Sequence, residues 1–224
     1  MTAPPLRFEN VRLPATEGSG ISFDVPSHKA VLVLGSEESG VDTLASLALG
    51  LTRLEGGRIL VHGEDVSSLA PREALAFRRR VGYLPAGDGL MQNLSLWDNI
   101  ALPLRFGSDL STRAIDGRIR IMCTLVGLSS VVHLRPAAAS DEQRRRAALA
   151  RALAFDPELV IMENPFDGLT ARTAVELLVL ARGGEQEEGS RRTLFMTSQY
   201  LPSLVAPRIE IQYRIEKGQF ISSD

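Results

Sequence analysis

The stretch that decides the fold reads Val31-Leu-Val-Leu-Gly-Ser-Glu-Glu-Ser-Gly-Val-Asp-Thr43. Its first four residues are apolar, which is typical of a strand buried on both faces. Gly35 ends that strand, and a helix is predicted to begin at Gly40, with leucines at positions 44, 47 and 49. A strand, a glycine-bounded loop and a helix form the frame of a phosphate-binding P-loop, G-x-x-x-x-G-K-S/T, and the two glycines have its spacing.

The residues that would give this loop its phosphate chemistry are absent. Val41 stands at the lysine position and Asp42 at the position of the hydroxyl residue that binds magnesium, while Glu37 and Glu38 add two acids. A lysine about 4 Å from a phosphate oxygen contributes up to about 4 kcal/mol at an effective dielectric of about 20, and Asp42 would add repulsion of similar size. Two interpretations follow: a strand–helix turn that never bound phosphate or, as we favour, a P-loop scaffold that has lost its nucleotide chemistry.

Composition limits the class of protein. The chain has 224 residues, of which 44% are hydrophobic and 23% charged, as expected for one globular domain spanning residues 1–224. A net charge of −2 argues against a nucleic-acid partner. Cys123 is the only cysteine, so an internal disulfide and a cysteine-based zinc site are excluded. Because no apolar run reaches the 18 or more residues of a membrane span and no signal-peptide pattern opens the chain, we expect a soluble cytoplasmic protein.

Short apolar segments alternate with helical segments, which predicts an α/β fold with a mostly parallel sheet covered by helices. An antiparallel β part is expected at the N-terminus, and a helical subdomain at about residues 88–152. Predicted strands are residues 6–13, 21–25, 29–34, 58–62, 81–84, 159–162, 193–196 and 209–216, with helices beginning near residues 40, 71, 95, 111, 141 and 171, a turn at 17–20 and a loop at 183–192.

Three stretches carry a resemblance to a known family: EGGRILVHGEDV (55–66), NLSLWDNIALPL (93–104) and RAALARALAFDPEL (146–159). Their order and spacing resemble the ATP-binding subunit of ABC transporters, a P-loop NTPase-type cassette, over nearly the whole chain. Two shorter stretches, SSLAPRE (67–73) and PFDGL (165–169), resemble more narrowly the Mla-type phospholipid-transport ATPases. The C-terminal part also resembles the cell-division and lipoprotein-export relatives.

The resemblance places the family's nucleotide-contacting motifs on residues of other chemistry. Val41 and Asp42 replace the Walker A lysine and hydroxyl residue, Ala86 replaces the Q-loop glutamine, and Ser198 replaces the switch histidine. No aromatic residue near Pro14 would stack on adenine. The vestigial nucleotide-binding positions would be Gly35, Ser36, Gly40, Val41, Asp42 and Thr43.

The Walker B pair and the signature differ from the family in the same way. Glu163 and Asn164 stand where an aspartate and the catalytic glutamate belong; Glu163 could still reach a metal, but Asn164 cannot act as a general base. The signature, normally Leu-Ser-Gly-Gly-Gln, reads ASDEQ (139–143), so two carboxylates replace glycines that let backbone approach the γ-phosphate of the facing subunit. The signature positions are Ser140, Asp141, Glu142 and Gln143.

These replacements imply a pseudo-ATPase with no catalytic residue, no cofactor and no metal. The hypothesis is a degenerate cassette that serves as a structural or regulatory subunit of a membrane transporter, with lipid as the expected substrate. The alternative is a divergent but active ATPase that uses ATP and Mg²⁺ to power lipid transport. A third hypothesis is a soluble regulator that binds another ligand in the vacated pocket.

The expected partner is an inner-membrane permease, which would hold the chain at the cytoplasmic face of that membrane. In the family, the segment at residues 87–104 resembles the groove that receives the permease, and Leu90 and Trp97 are predicted contacts, with core packing as the alternative for Trp97. A second cassette would complete a homodimer or a heterodimer. The arginine run 144–146 and Arg151 are interpreted as a solvated helix face.

Overall fold

The predicted buried strand becomes β3 (Ala30–Gly35), inside a six-stranded sheet. A computed structural model describes residues 3–13, 20–183, 191–217 and 219–223. Pro14, most of the turn predicted at 17–20 and most of the loop predicted at 183–192 lie outside these residues. The strands of this sheet are ordered β10-β9-β3-β8-β7-β6, with β6 (Val81–Leu84), β7 (Leu159–Glu163), β8 (Thr193–Ser198), β9 (Ile211–Glu216) and β10 (Gln219–Ser223).

Among the described strands of this six-stranded sheet, neighbouring strands are parallel, except β9 and β10, which form an antiparallel hairpin. The pleat of β3 divides the core. Ala30, Leu32 and Leu34 face one hydrophobic cluster with the helices, whereas Val31 and Val33 face a second cluster with the N-terminal strands. Alternate side chains of a strand point to opposite faces, so a continuous apolar run is required where both faces are covered. The predicted mostly parallel sheet, flanked by helices, is confirmed.

A second, antiparallel sheet of four strands packs on one face of the first. Its order is β2-β1-β4-β5, where β1 is Leu6–Val11, β2 is Ile21–Val25, β4 is Arg58–Val61 and β5 is Glu64–Asp65. Aromatic rings join the two sheets: Phe8 and Phe23 stack at 4.4 Å, and Phe8 lies 5.3 Å from Phe195 of β8. The antiparallel β part predicted at the N-terminus is therefore present and is attached through a ring cluster.

The helices flank the sheets at the predicted places. They are α1 (Thr43–Ala48), α2 (Pro71–Arg78), α3 (Leu96–Gly107), α4 (Thr112–Leu125), α5 (Asp141–Ala152) and α6 (Ala171–Arg182). The hydroxyls of Ser95, Ser111, Ser140 and Thr170 cap α3, α4, α5 and α6 by accepting a backbone N–H three residues on, as N-cap side chains do. Helix α5, whose run of strong helix formers extends to Phe155, ends at Ala152.

Two details differ from expectation. Helix α1 begins at Thr43 rather than Gly40, because a 3-10 turn over Glu37–Ser39 and the left-handed Gly40 (φ 74°) come first. Strand β10 was not predicted, since its apolar residues are too few to give a period. Within the described ranges no helix is both long and apolar enough to cross a bilayer.

Candidate functional site

The loop between β3 and α1 lies at the carboxyl edge of the parallel sheet and is hydrogen-bonded within itself. The Ser39 hydroxyl donates to the Ser36 carbonyl at 2.6 Å, and this side chain is 8% exposed. A Cβ on Gly35 would lie 2.3 Å from the Ser39 oxygen, so only glycine fits beside it. The Ser39 side chain therefore packs against Gly35 and is hydrogen-bonded within the loop.

Backbone N–H groups of the loop are bonded within the loop. The N–H groups of Ser39, Gly40 and Thr43 donate to carbonyls three residues earlier, at 3.0, 3.3 and 3.0 Å. The Val41 N–H donates to the Ser39 hydroxyl at 3.3 Å. A phosphate cradle needs such groups to point at the anion, and here these four N–H groups have partners within the loop.

Val41, predicted to stand at the Walker A lysine position, and Thr43 lie in different surroundings. Val41 is fully buried in the hydrophobic cluster shared with the N-terminal sheet. Thr43 donates its hydroxyl to the Gly40 carbonyl at 2.7 Å. Glu37 and Glu38 are exposed at the mouth of the loop. Position 41 thus serves as core, and the loop presents acids to solvent.

Asp42 forms a bridge with two other strand ends. The Asn164 side-chain amide, at the end of β7, donates to Asp42 Oδ1 at 3.0 Å, although the residues are 122 positions apart. The backbone N–H of Gln199, after β8, donates to Asn164 Oδ1 at 3.2 Å, and the Gln199 side chain lies 3.5 Å from Asp42 Oδ2. Gln199 was not predicted as a site residue; its only signal is its place directly after Ser198.

Glu163 holds the segment that follows β6. Its Oε2 accepts hydrogen bonds from the Tyr83 hydroxyl at 2.9 Å and from the Ala86 N–H at 3.2 Å. Burial, together with the Glu163 carboxylate, raises the pKa of Tyr83, so the phenol keeps its proton and remains a donor. Among the described residues, no group of three or more acids, histidines or cysteines is arranged to hold a metal.

Arg145 corrects the interpretation of the arginine run as a solvated face. Its side chain is 4% exposed and donates to the carbonyls of Pro85 at 2.7 Å, Glu163 at 3.0 Å and Asn164 at 2.7 Å. Burial lowers its pKa to about 10, against the opposing charges of neighbouring acids, so it stays protonated at neutral pH. The helical period places this one arginine of the run against the core.

The neighbouring arginines of α5 also bind protein. Arg144 pairs with Asp88 at 2.8 Å, and Arg151 donates to the carbonyls of Gly89 at 2.6 Å and Asp88 at 3.0 Å. Arg146 pairs with Glu142 and Glu176 at 2.9 and 2.6 Å. The loop after β6 is therefore fastened to α5 at several points.

The signature positions form the start of α5. Ser140 and Gln143 make a reciprocal capping box, with Gln143 N–H to the Ser140 hydroxyl at 3.2 Å and Ser140 N–H to the Gln143 side chain at 3.0 Å. The side chain of Asp141 is 73% exposed and pairs with Arg144, and that of Glu142 is 47% exposed. Across the described ranges, no hydrogen bond or ion pair joins these positions to the loop at 35–43.

Ser198 is fully buried, and its hydroxyl donates to the Tyr200 carbonyl at 2.7 Å. It shapes the turn after β8 and joins the Asp42 bridge only through its neighbour Gln199. A cleft of about 900 Å³ is lined by Gly35, Ser36 and Ser39 of the loop and by Gln199, and Glu38, Arg214, Glu216 and Lys217 give it mixed charge.

The predicted permease contacts differ in accessibility. Leu90 is 6% exposed and lies in the core with the helices, and Trp97 is partly buried against the same cluster. Neither residue lines the groove of about 410 Å³ that lies between α2, β6, α3 and α5. Phe106 and Leu75, 82% and 59% exposed, line it together with Arg78, Arg79 and Arg151.

Three features define the ATP-binding cassette class of protein. A loop of P-loop spacing lies at the carboxyl edge of a parallel sheet, an antiparallel sheet packs beside that sheet, and a capped helix, α5, begins within the signature-like segment at 139–143. The chain belongs to the ABC transporter family, whose family model matches residues 19–167. The cassette fold is also that of the dimeric ATP-binding cassette MJ0796 bound to ADP and Pi, with a TM-score of 0.83 at 20% identity over 97% of this chain and 98% of that one.

Curated relatives differ in what they transport. The chain is 29% identical over 169 residues to the molybdate/tungstate import ATP-binding protein WtpC of Pyrococcus abyssi, covering 75% of this chain and 47% of that one. It is 34% identical over 148 residues to the intermembrane phospholipid transport ATP-binding protein MlaF of Haemophilus influenzae, covering 66% and 56%. The chain spans about half the length of these relatives.

Proposed function

We propose that this chain is a cassette subunit that docks on a membrane permease and neither binds nor hydrolyses ATP to a useful degree. The observation that carries the proposal is the internally bonded loop between β3 and α1. The Ser39 hydroxyl and the N–H groups of residues 39, 40, 41 and 43 have partners within the loop, and Val41 lies in the core. ATP and Mg²⁺ do not fit these residues, because a phosphate would have to displace bonds and meet Asp42.

Two further features support the same function. Asn164 uses its side chain to bind Asp42, and an amide cannot take a proton from water as a general base does. Glu163 accepts two hydrogen bonds from protein, which occupies one carboxylate oxygen that a metal would need. These contacts support a structural or regulatory role over that of a divergent, active ATPase.

Isothermal calorimetry with Mg²⁺–ATP tests this proposal directly. We expect no heat of binding at millimolar ATP, which corresponds to a dissociation constant above about 1 mM, and no phosphate release above buffer. An intact cassette protein run in parallel supplies the positive control for the nucleotide and the metal. Micromolar binding with turnover would overturn the proposal and establish the alternative of an active ATPase.

The groove between α2 and α3 is the proposed site of permease docking. Phe106 is 82% exposed at its rim, and Arg78, Arg79 and Arg151 give it positive charge. A permease segment with an apolar anchor and acidic flanks would fit this lining, since buried apolar contacts supply affinity and opposite charge supplies orientation. Of the two contacts predicted from sequence, Trp97 is partly exposed and Leu90 is buried in the core, and neither lines this groove.

The docking surface predicts a specific loss on mutation. Phe106→Asp should reduce recovery of a permease with the tagged chain from detergent-solubilised membranes by at least about tenfold, as loss of a central aromatic anchor does. Leu125→Asp is the matched control, because Leu125 is 65% exposed on α4, outside this groove. Equal loss in both variants, or no permease with either, would contradict docking at the groove.

The narrower assignments rest on similarity to relatives. We propose that the transporter carries a phospholipid or related lipid, which the resemblance at 67–73 and 165–169 and the likeness to MlaF support. The chain would pair with itself or with another cassette, and the permease would hold it at the cytoplasmic face of the inner membrane. Lipid that co-purifies with the permease complex, identified by mass spectrometry, tests the substrate; oxyanion transport without lipid would contradict it.

A further inference from the structure

Asn164 makes contacts in two directions. Its side chain faces the loop at the carboxyl edge, where it donates to Asp42 at 3.0 Å and accepts from Gln199 at 3.2 Å. Its backbone carbonyl faces α5 and accepts from Arg145 at 2.7 Å, and its N–H donates to Thr197 of β8 at 2.8 Å. The residue has φ 40°, a left-handed conformation that asparagine tolerates better than most side chains.

We propose that Asn164 is a built-in cross-link that holds the loop after β3 against the residues that follow β7 and β8, and against α5, in the absence of any ligand. This inference rests on the proposed function, in which no nucleotide bridges these segments. The side chains of Asp42, Asn164 and Gln199 bridge them instead. The arrangement of the cassette would then be set by the chain itself and would not respond to ATP.

The cross-link extends to the permease groove through Arg145. That side chain binds the carbonyl of Asn164 and the carbonyl of Pro85, and Glu163 binds the Ala86 N–H in the same segment. The loop after β6 is fastened in turn to Arg151, which lines the groove. A hydrogen-bonded path therefore runs from Asp42 to the docking surface with no ligand in it.

The test swaps the side chains of Asp42 and Asn164 and follows amide hydrogen exchange. Asn164→Asp puts two carboxylates side by side and removes the donor to Asp42, so hydrogen exchange of the Gln199 amide and of residues 36–43 should accelerate at least about tenfold. Asp42→Asn alone keeps an acceptor for Asn164 and should change exchange by about twofold or less. The double variant Asp42→Asn with Asn164→Asp restores each donor and acceptor in reversed order. We expect it to return within about twofold of the parent.

The pH dependence of the single variant separates this role from general destabilisation. In Asn164→Asp, adjacent carboxylates raise each other's affinity for a proton, so the acceleration should shrink as pH falls towards about 4. Asn93→Asp is the matched surface control, because Asn93 is exposed on another loop, and it should leave exchange unchanged at every pH.

The outcomes separate the two proposals. Unchanged exchange in Asn164→Asp, or a double variant no closer to the parent than that single variant, would overturn the cross-link while leaving the proposed function intact. If Mg²⁺–ATP slows hydrogen exchange of residues 36–43 in the parent, the proposed function is overturned. This holds whatever the variants at positions 42 and 164 show. Acceleration in the single variant, rescue in the double variant and no response to nucleotide would support both.

Discussion

Replacing Arg145 with methionine is expected to lower the free energy of unfolding by about 2–4 kcal/mol. The guanidinium is 4% exposed and binds three backbone carbonyls at 2.7 to 3.0 Å. Methionine has a similar length but no donor, so the carbonyls of Pro85, Glu163 and Asn164 would each lose a buried partner. Losing a buried charge offsets part of this cost, which is why the expected loss is smaller than three full desolvation penalties.

Urea unfolding followed by circular dichroism measures this loss, provided that the denaturant slope stays unchanged. Arg172→Met is the matched control. The Arg172 side chain is 88% exposed and pairs with Glu176 one turn along α6. Arg172→Met should therefore lower the free energy of unfolding by no more than about 0.5 kcal/mol. Equal stability of the two variants would show that the Arg145 contacts do not hold the loop after β6 to β7.

Val41→Lys is expected to destabilise the chain by about 3 kcal/mol or more. Val41 is fully buried among apolar side chains of the N-terminal sheet and α1. An ammonium placed there would lose its hydration and gain no anion, since Asp42 is bonded to Asn164 and the loop amides are taken. Restoring the Walker A lysine by itself should therefore not restore phosphate binding.

The pH dependence of this variant follows from linkage. Burial lowers the pKa of a lysine below its value near 10.4 in the unfolded chain. The unfolded state then binds more protons than the folded state between the two pKa values, so the penalty is full at low pH and shrinks as pH rises towards about 10. Thermal unfolding at pH 6 and pH 9.5 measures the difference.

Leu51→Lys is the matched control for Val41→Lys, because Leu51 is 54% exposed just after α1, and its stability should follow the parent at both pH values. A Val41→Lys variant as stable as the parent, with no pH dependence of its own, would mean that the loop rearranges to expose the lysine. That result would favour the alternative of a divergent ATPase, because a loop that opens could also accept phosphate.

Local patterns in the sequence identified most of the framework. The apolar run before Gly35 and the Gly35–Gly40 spacing predicted β3 and its loop. Ser95 and Ser111 as caps predicted the starts of α3 and α4, and a run of strong helix formers predicted α5, since these signals depend on neighbours within a few residues. The start of α1 was missed, because the side chain of Ser39 turns the loop into a 3-10 turn before the helix begins.

Such local patterns could not predict contacts between residues that are far apart in the sequence. Asp42 was expected to repel phosphate, but its role as partner of Asn164 depends on the parallel register that brings the ends of β3, β8 and β7 together. The arginine run at 144–146 looks uniform in sequence, yet the helix turns one member inward and leaves its neighbours partly exposed.

The sequence by itself determined the family and the mostly parallel sheet, because both follow from residue identity and short spacing. The loss of lysine, glutamine and histidine at the motif positions stays a prediction of the resemblance. Only the tertiary structure decided that Asn164 and Gln199 bind Asp42, and that Phe106 is exposed beside a groove. The reason is physical: whether a polar side chain meets a partner or water depends on which segments the sheet brings together, and those segments lie more than 100 positions apart.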